Sequence, residues 1–304
     1  MIQPRPPATL VLGPLLYHWP MADQRDFYFR MADEAPVDVV CVGEVVCPKR
    51  SPLFRDYLPK VIERLERANK SVIYSTPGLI RDGQELEDLR GLISDTSLLV
   101  EANDMAAVSL LAGQPFTTGP FLNVYNEDTA RVLGRQGAVR LCPPAEVDGE
   151  GLATMAAAGH ADIEIQAFGR TPLALSSRCY TARMNGLTRA SCQYACGADR
   201  DGFDADTVDG RSMLCVSGPV VLSHGFINLI GMVDQIRQRG IHSFRLHPQS
   251  VDMVDVAARF REALDGTLAP DEALAQMTET TPFGAPPFID GYYRGNPGIS
   301  PIPN

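Results

Sequence analysis

The sequence predicts an α/β protein with a (β/α)8 TIM-barrel-like fold and an irregular insertion after the seventh strand. Three observations carry this. Eight short apolar runs alternate with stretches at helical period along the 304 residues, the pattern of a parallel sheet wrapped by helices. The first run is followed by Gly13-Pro14 and lacks the G-x-G-x-x-G fingerprint of the usual open dinucleotide-binding sheet. The alternation fails only between about 168 and 222, where no helical period is visible.

The strands are expected in order. A-T-L-V-L (8–12), V-D-V-V-C-V (37–42), S-V-I-Y-S (71–75) and S-L-L-V-E (97–101) supply the first four. F-T-T-G (116–119), V-R-L-C (139–142), I-E-I-Q-A (163–167) and S-F-R-L (243–246) supply the rest. Each is bounded by turn-forming residues and is too short for a helix of ordinary length. Helical period marks 53–67 and 127–135, and also 226–237, where Ile227, Ile230 and Val233 recur on one face. Residues 1–280 thus read as a single barrel-like domain that includes the insertion at about 168–222. Residues 281–304 form a Pro/Gly-rich tail expected to lie as an extended strap.

Composition narrows the function. A hydrophobic fraction of 45% and a charged fraction of 21% are those of a globular protein. A net charge of −10 disfavours phosphate-backbone binding. The five histidines show no H-E-x-x-H pair. No run approaches the roughly 18 apolar residues of a membrane span. The N-terminus shows no basic segment feeding a long apolar core, so the expected location is cytoplasmic.

Chemistry concentrates in the cysteines. Four of the seven, Cys47, Cys179, Cys192 and Cys196, sit in or beside basic, irregular stretches, as a shared metal centre would require. S-C-Q-Y-A-C-G places Cys192 and Cys196 four apart; S-S-R-C-Y-T-A-R carries Cys179 between Arg178 and Arg183. Cys47 closes V-C-V-G-E-V-V-C-P-K-R, before Pro48, Lys49 and Arg50. Thiolates are the soft ligands of iron–sulfur clusters and of zinc, and neighbouring cations offset their charge. Cys41 and Cys215 read instead as buried strand residues, and Cys142, at a strand end, is the reserve candidate. Disulfides would need an oxidising compartment.

The motifs V-G-E-V-V-C-P-K-R, S-S-R-C-Y-T-A-R, C-x3-C and D-G-Y-Y-R, with L-G-P-L-L-Y-H-W-P, V-E-A-N-D, L-N-V-Y-N and L-H-P-Q, occur together over nearly the whole chain. In combination they resemble the collagenase-like peptidase family, and within it the UbiU–UbiV iron–sulfur pair, in particular its smaller subunit. That resemblance implies a 4Fe-4S cluster held by Cys47, Cys179, Cys192 and Cys196. It further implies a heterodimer with a UbiU-type homologue, a sterol-carrier-type lipid-binding accessory protein, and oxygen-independent (anaerobic) hydroxylation in ubiquinone biosynthesis. In a barrel all four cysteines can meet at the C-terminal face, because Cys47 follows the second strand and the others the seventh.

Other polar residues have plainer readings. Glu44 is a carboxylate at a strand end, and Glu101, Asn103 and Asp104 flank another, with Asn103 as a possible helix cap. Asn123 and Asn126 suit a polar ligand, and Asn126 suits a cap equally. Arg178 and Arg183 would neutralise a cluster or lie on the surface, and His247 is either a site group or structural. The competing functions are a peptidase, for which no G-x-S-x-G or zinc motif is present, and a zinc-stabilised binding module on the same cysteines.

Overall fold

The computed structural model describes residues 7–281 and 286–302 of the chain. Short β-branched runs form β1 (Thr9–Leu12), β2 (Val39–Val42), β3 (Ser71–Ser75), β4 (Leu99–Ala102), β5 (Phe116–Thr118), β6 (Ala138–Leu141) and β7 (Asp162–Gly169). Each pairs in parallel with the next. The chain then leaves the barrel as β8 (Pro172–Leu175), β9 (Phe203–Asp206), β10 (Ser212–Ser217) and β11 (Val220–Ser223). These form an antiparallel sheet in the order β8-β11-β10-β9. β12 (Phe226–Asn228) returns antiparallel beside β7. β13 (Ser243–Leu246) pairs with both β7 and β1 and closes a parallel barrel of eight strands.

Helices fill the crossovers: α1 (Met21–Asp33), α2 (Ser51–Phe54), α3 (Leu58–Arg67), α4 (Gly83–Asp95), α5 (Met105–Leu111), α6 (Glu127–Gln136) and α7 (Gly149–Ala158). Asp82, Asp104, Asn126 and Asp148 start α4 to α7 by accepting a first-turn backbone N–H, satisfying donors that have no intrahelical partner. The insertion carries α8 (Tyr180–Met184); α9 (Val233–Gln238), α10 (Met253–Asp265) and α11 (Pro270–Thr280) follow.

Strand alternation sorts the core. Leu10, Leu12, Val40, Val42, Phe244 and Leu246 face the helices and join the main apolar core, while Val11, Val39, Cys41 and Ile73 form a small cluster of their own inside the barrel. The rest of the interior is ionic. Arg245 donates to Glu101 and to Glu164, and all three are buried. Ser75 and Asn103 donate to Glu101 at 2.9 and 3.1 Å. A network of this kind is costly to desolvate, and much costlier to break from one side.

A second apolar core caps the barrel mouth. Leu15, Leu16, Tyr17, Trp19, Val45 and Val46, from the loops after β1 and β2, pack against Cys215, Val220 and Leu222 of the insertion sheet. This layer fixes the insertion over the C-terminal ends of β1 and β2.

The structure corrects several expectations. The insertion follows the seventh strand as expected, but it is not irregular throughout: four strands frame it, and the loop-rich part is confined to the residues between β8 and β9. Alternate apolar residues of β10 and β11 find partners in the second core, which short runs such as M-L-C-V already contained. Residues 53–67 are not one helix, because the chain turns after α2 before Pro59 enters the first turn of α3. Residues 226–237 begin as β12, since pairing with β7 outweighs their helical period, and a single tight helical turn, Ile230–Met232, leads into α-helix only at Val233. The tail is not merely a strap. Phe288–Ile289 (β14) pairs with β12, and Ile289 bridges Pro301; residues 282–285 and 303–304 lie outside the described residues, as do 1–6.

Candidate metal centre

Cys47, Cys179, Cys192 and Cys196 line one cavity between the C-terminal end of β2 and the insertion, together with Lys49 and Arg50. All four are only partly buried, whereas Cys41, Cys142 and Cys215 are fully buried.

The loop that delivers Cys47 is tightly built. Gly43 turns at φ +116°, where a Cβ would lie 2.4 Å from the Ser75 carbonyl oxygen, so only glycine fits. Glu44 then folds back, and one carboxylate oxygen accepts the Val46 and Cys47 amides, both at 2.9 Å. Glu44 is therefore a loop cap. Burial raises its carboxyl pKa, against Arg50 at 3.9 Å and the two amides. Cys47 precedes the single turn Pro48–Arg50, which aims two cations back at the insertion.

Cys179 caps α8, its sulfur accepting the Ala182 amide at 3.4 Å. Gly218, at the β10–β11 turn, holds that helix start: its carbonyl accepts from Tyr180 and its N–H donates to the Thr181 hydroxyl. Between Cys192 and Cys196 the backbone turns through positive φ at Gln193 and Tyr194. Tyr194 donates to the Lys49 carbonyl at 3.1 Å and its ring lies 5.4 Å from that of His18. The Cys192 sulfur lies 3.5 Å from Lys49 Nζ, and the Cys196 sulfur accepts from Arg50 Nη2 at 3.2 Å.

Electrostatics divide between burial and these donors. Burial pushes the Cys47 thiol up to about 11 while Arg50 opposes it. Burial also raises Cys179, and its amide partner opposes. His18 is held neutral, lowered to about 4 by burial and then by Arg50. A positive centre among the sulfurs is what would keep them ionised. Their chemistry fits a thiolate-bound metal group: four soft donors, N–H groups directed at sulfur, and two nearby cations. Among the described residues, no three of His, Cys, Asp and Glu gather as a site for a metal ion. The four cysteines share one cavity.

The remaining candidates separate cleanly. Arg178 and Arg183 are exposed; the cations at the sulfurs are Lys49 and Arg50, visible in the sequence beside Cys47. Cys142 lies away from the thiol cavity, buried near Arg245 and Glu164. Asp104, not Asn103, caps α5, and Asn126 caps α6. His247 is buried against Gln166 at 2.8 Å. Asn123, with a left-handed backbone, lines a separate cavity at the barrel mouth. Sequence reasoning missed the clamp on the cysteine loop: Arg189 pairs with Glu85 at 2.7 Å and its carbonyl accepts from Lys49. Partners so far apart in the chain leave no local pattern.

The fold and this cavity define a closed parallel barrel with a thiol-lined chamber beneath an inserted sheet. The sequence matches peptidase family U32 over residues 28–301, and the chain belongs to that family. A solved structure titled the U32 peptidase Mk0906 is 13% identical, covering 83% of this chain and 97% of that one at a TM-score of 0.47.

Proposed function

We propose that this chain is an iron–sulfur subunit required for oxygen-independent ring hydroxylation in ubiquinone biosynthesis, acting as a heterodimer with a UbiU-type member of its family. The reading that carries this is a 4Fe-4S cluster on Cys47, Cys179, Cys192 and Cys196. Its main support is that three of the four sulfurs in the one cavity receive an N–H donor. Lys49 and Arg50 supply two, to Cys192 and Cys196; the Ala182 amide supplies the third, to Cys179. Such donors and cations offset the negative charge of a thiolate-ligated group.

A cluster with all four irons ligated by cysteine would supply electron transfer. The sterol-carrier-type accessory protein implied by the sequence resemblance would present the lipophilic precursor.

Anaerobic purification tests the proposal. The wild-type protein should be brown, with acid-labile sulfide and iron. Alanine at any of the four cysteines should lower iron and abolish quinone formation without oxygen, whereas Cys41→Ala or Cys215→Ala should leave iron in place. A colourless protein carrying one stoichiometric zinc would overturn it.

A further inference from the structure

We propose that the outer face of α8, beside the thiol chamber, is the docking surface for a small acidic electron-carrier protein that binds transiently. Cys179 caps this helix, and Ala182 on its buried side lines the chamber. The opposite side is open. Tyr180 and Met184, one turn apart, are 38% and 67% exposed. Arg183 between them and Arg178 just before the helix are exposed as well. Side chains three and four residues apart meet on a helix surface, so Tyr180, Arg183 and Met184 form one patch.

Charge selects the partner. From Ile165 to Ala198 the chain has four arginines and no aspartate, glutamate or lysine. From Val45 to Arg55 it has three cations and no acid. These two stretches supply most of the chamber lining, which includes Lys49, Arg50, Arg81 and Arg189 and no carboxylate. The whole chain has a net charge of −10, so the positive charge is concentrated here against an acidic remainder. Glu44 and Glu85 answer Arg50, Arg81 and Arg189. The guanidinium groups of Arg178 and Arg183 have no carboxylate partner among the described residues. An acidic protein is drawn to such a patch and repelled by the remainder of the surface, which fixes where it lands.

Size and composition favour a brief protein encounter. Tyr, Met and Arg are enriched at protein interfaces, but two exposed apolar side chains cannot build the roughly 2,000 Å² or more of an obligate dimer. Redox encounters lie at the small end, below about 1,200 Å² in total, and take much of their rate from charge. A nucleic acid fits less well. Two unpaired arginines neutralise few phosphates, and the acidic remainder repels a strand that runs beyond them. A membrane surface fits less well for a similar reason: two arginines hold anionic lipid weakly, and a helix of five residues adds little apolar area.

That the visitor carries electrons rests on the function proposed above; the docking of an acidic protein does not. Biolayer interferometry on the anaerobically purified full chain tests it, with a plant-type 2Fe-2S ferredoxin as the acidic probe. Binding should saturate and weaken at least about tenfold between about 0.05 and 0.3 M salt. Arg178→Glu combined with Arg183→Glu should weaken it at least about tenfold, and Met184→Ser about threefold. The same charge change on exposed residues of α6, Arg131→Glu with Arg135→Glu, should alter it less than about twofold. No saturable ferredoxin binding, or an equal loss from the α6 pair, overturns the proposal. So does loss of the complex with a UbiU-type homologue in the Arg178→Glu/Arg183→Glu variant, which would make this face the subunit interface. Tighter binding, through the same arginines, of a transfer RNA or of vesicles of equal parts phosphatidylserine and phosphatidylcholine overturns it too. Iron and visible absorption on the same samples report the cluster separately. An iron-free chain that still docks the ferredoxin through these arginines keeps the surface and removes the cluster; an iron-loaded chain that does not dock it does the reverse.

Discussion

Arg245 shows how a single residue organises the barrel interior. Its guanidinium sits between Glu101 and Glu164 in a space closed to solvent. Burial alone would raise the Glu101 pKa, yet Arg245 and the neighbouring donors hold it below the usual carboxylate range. Arg245→Met should therefore destabilise by about 3–5 kcal/mol, because two buried carboxylates lose their partner. Denaturant midpoints with an unchanged m-value would measure this, and a loss below about 1 kcal/mol would mean the network is water-screened. His247, next to this network, gives a pH test. Burial first, and Arg245 second, lower its pKa to about 3. An unfolded chain takes up that proton near pH 6.5. Between those values the unfolded state binds more protons, so stability should fall as pH drops, by up to about 1.4 kcal/mol per unit for this group. His247→Gln should flatten the slope of unfolding free energy between pH 6 and 4 relative to wild type, and an identical slope would contradict the assignment.

Among the elements, the insertion divides into two parts with different supports. The sheet β8-β11-β10-β9 has its own apolar anchor in Cys215, Val220 and Leu222. The segment around α8 and the C-x3-C turn has little: Met184 is largely exposed, and polar clamps such as Arg189–Glu85 carry the docking. Ordering backbone costs about 1–2 kcal/mol per residue, and a few half-buried polar clamps offset only part of that. If the proposed cluster ties Cys179, Cys192 and Cys196 to Cys47, its loss should free this segment alone. Limited proteolysis after exposure to air should then cut first near Arg183 and Arg189 while the sheet stays protected. Arg200 should resist longer, since it pairs with Asp23 at 2.7 Å and its carbonyl accepts from Trp19. Equal protection of Arg183 and Arg189 with and without the cluster would assign the order to ordinary packing.

For the molecule as a whole, the thiol chamber and the barrel-mouth cavity lie side by side on one face, roofed by the insertion. The chain carries a net charge of −10, and the proposed electron-transfer role calls for a second subunit. Co-expression with a UbiU-type homologue should give a one-to-one complex that survives size exclusion at micromolar concentration. Elution of the two as separate monomers would count against the heterodimer.

The sequence by itself determined the barrel, its eight strands in order, and the four cysteines worth testing. Those properties are local: strand runs are short and apolar, the cap at Asn126 acts within one turn, and Cys47 carries its cations in the next three residues. Only the tertiary structure decided the rest. The inserted sheet exists because Cys215 and Leu222 find Leu16 and Val45, residues far away in the chain. Residues 226–237 begin as a strand because the edge of β7 offers Phe226–Asn228 backbone partners. Glu44, Arg189 and His247 have roles set by Cys47, Glu85 and Gln166. Hydrophobic period records which way a side chain faces, whereas hydrogen-bond partners distant in sequence meet only once the barrel has closed.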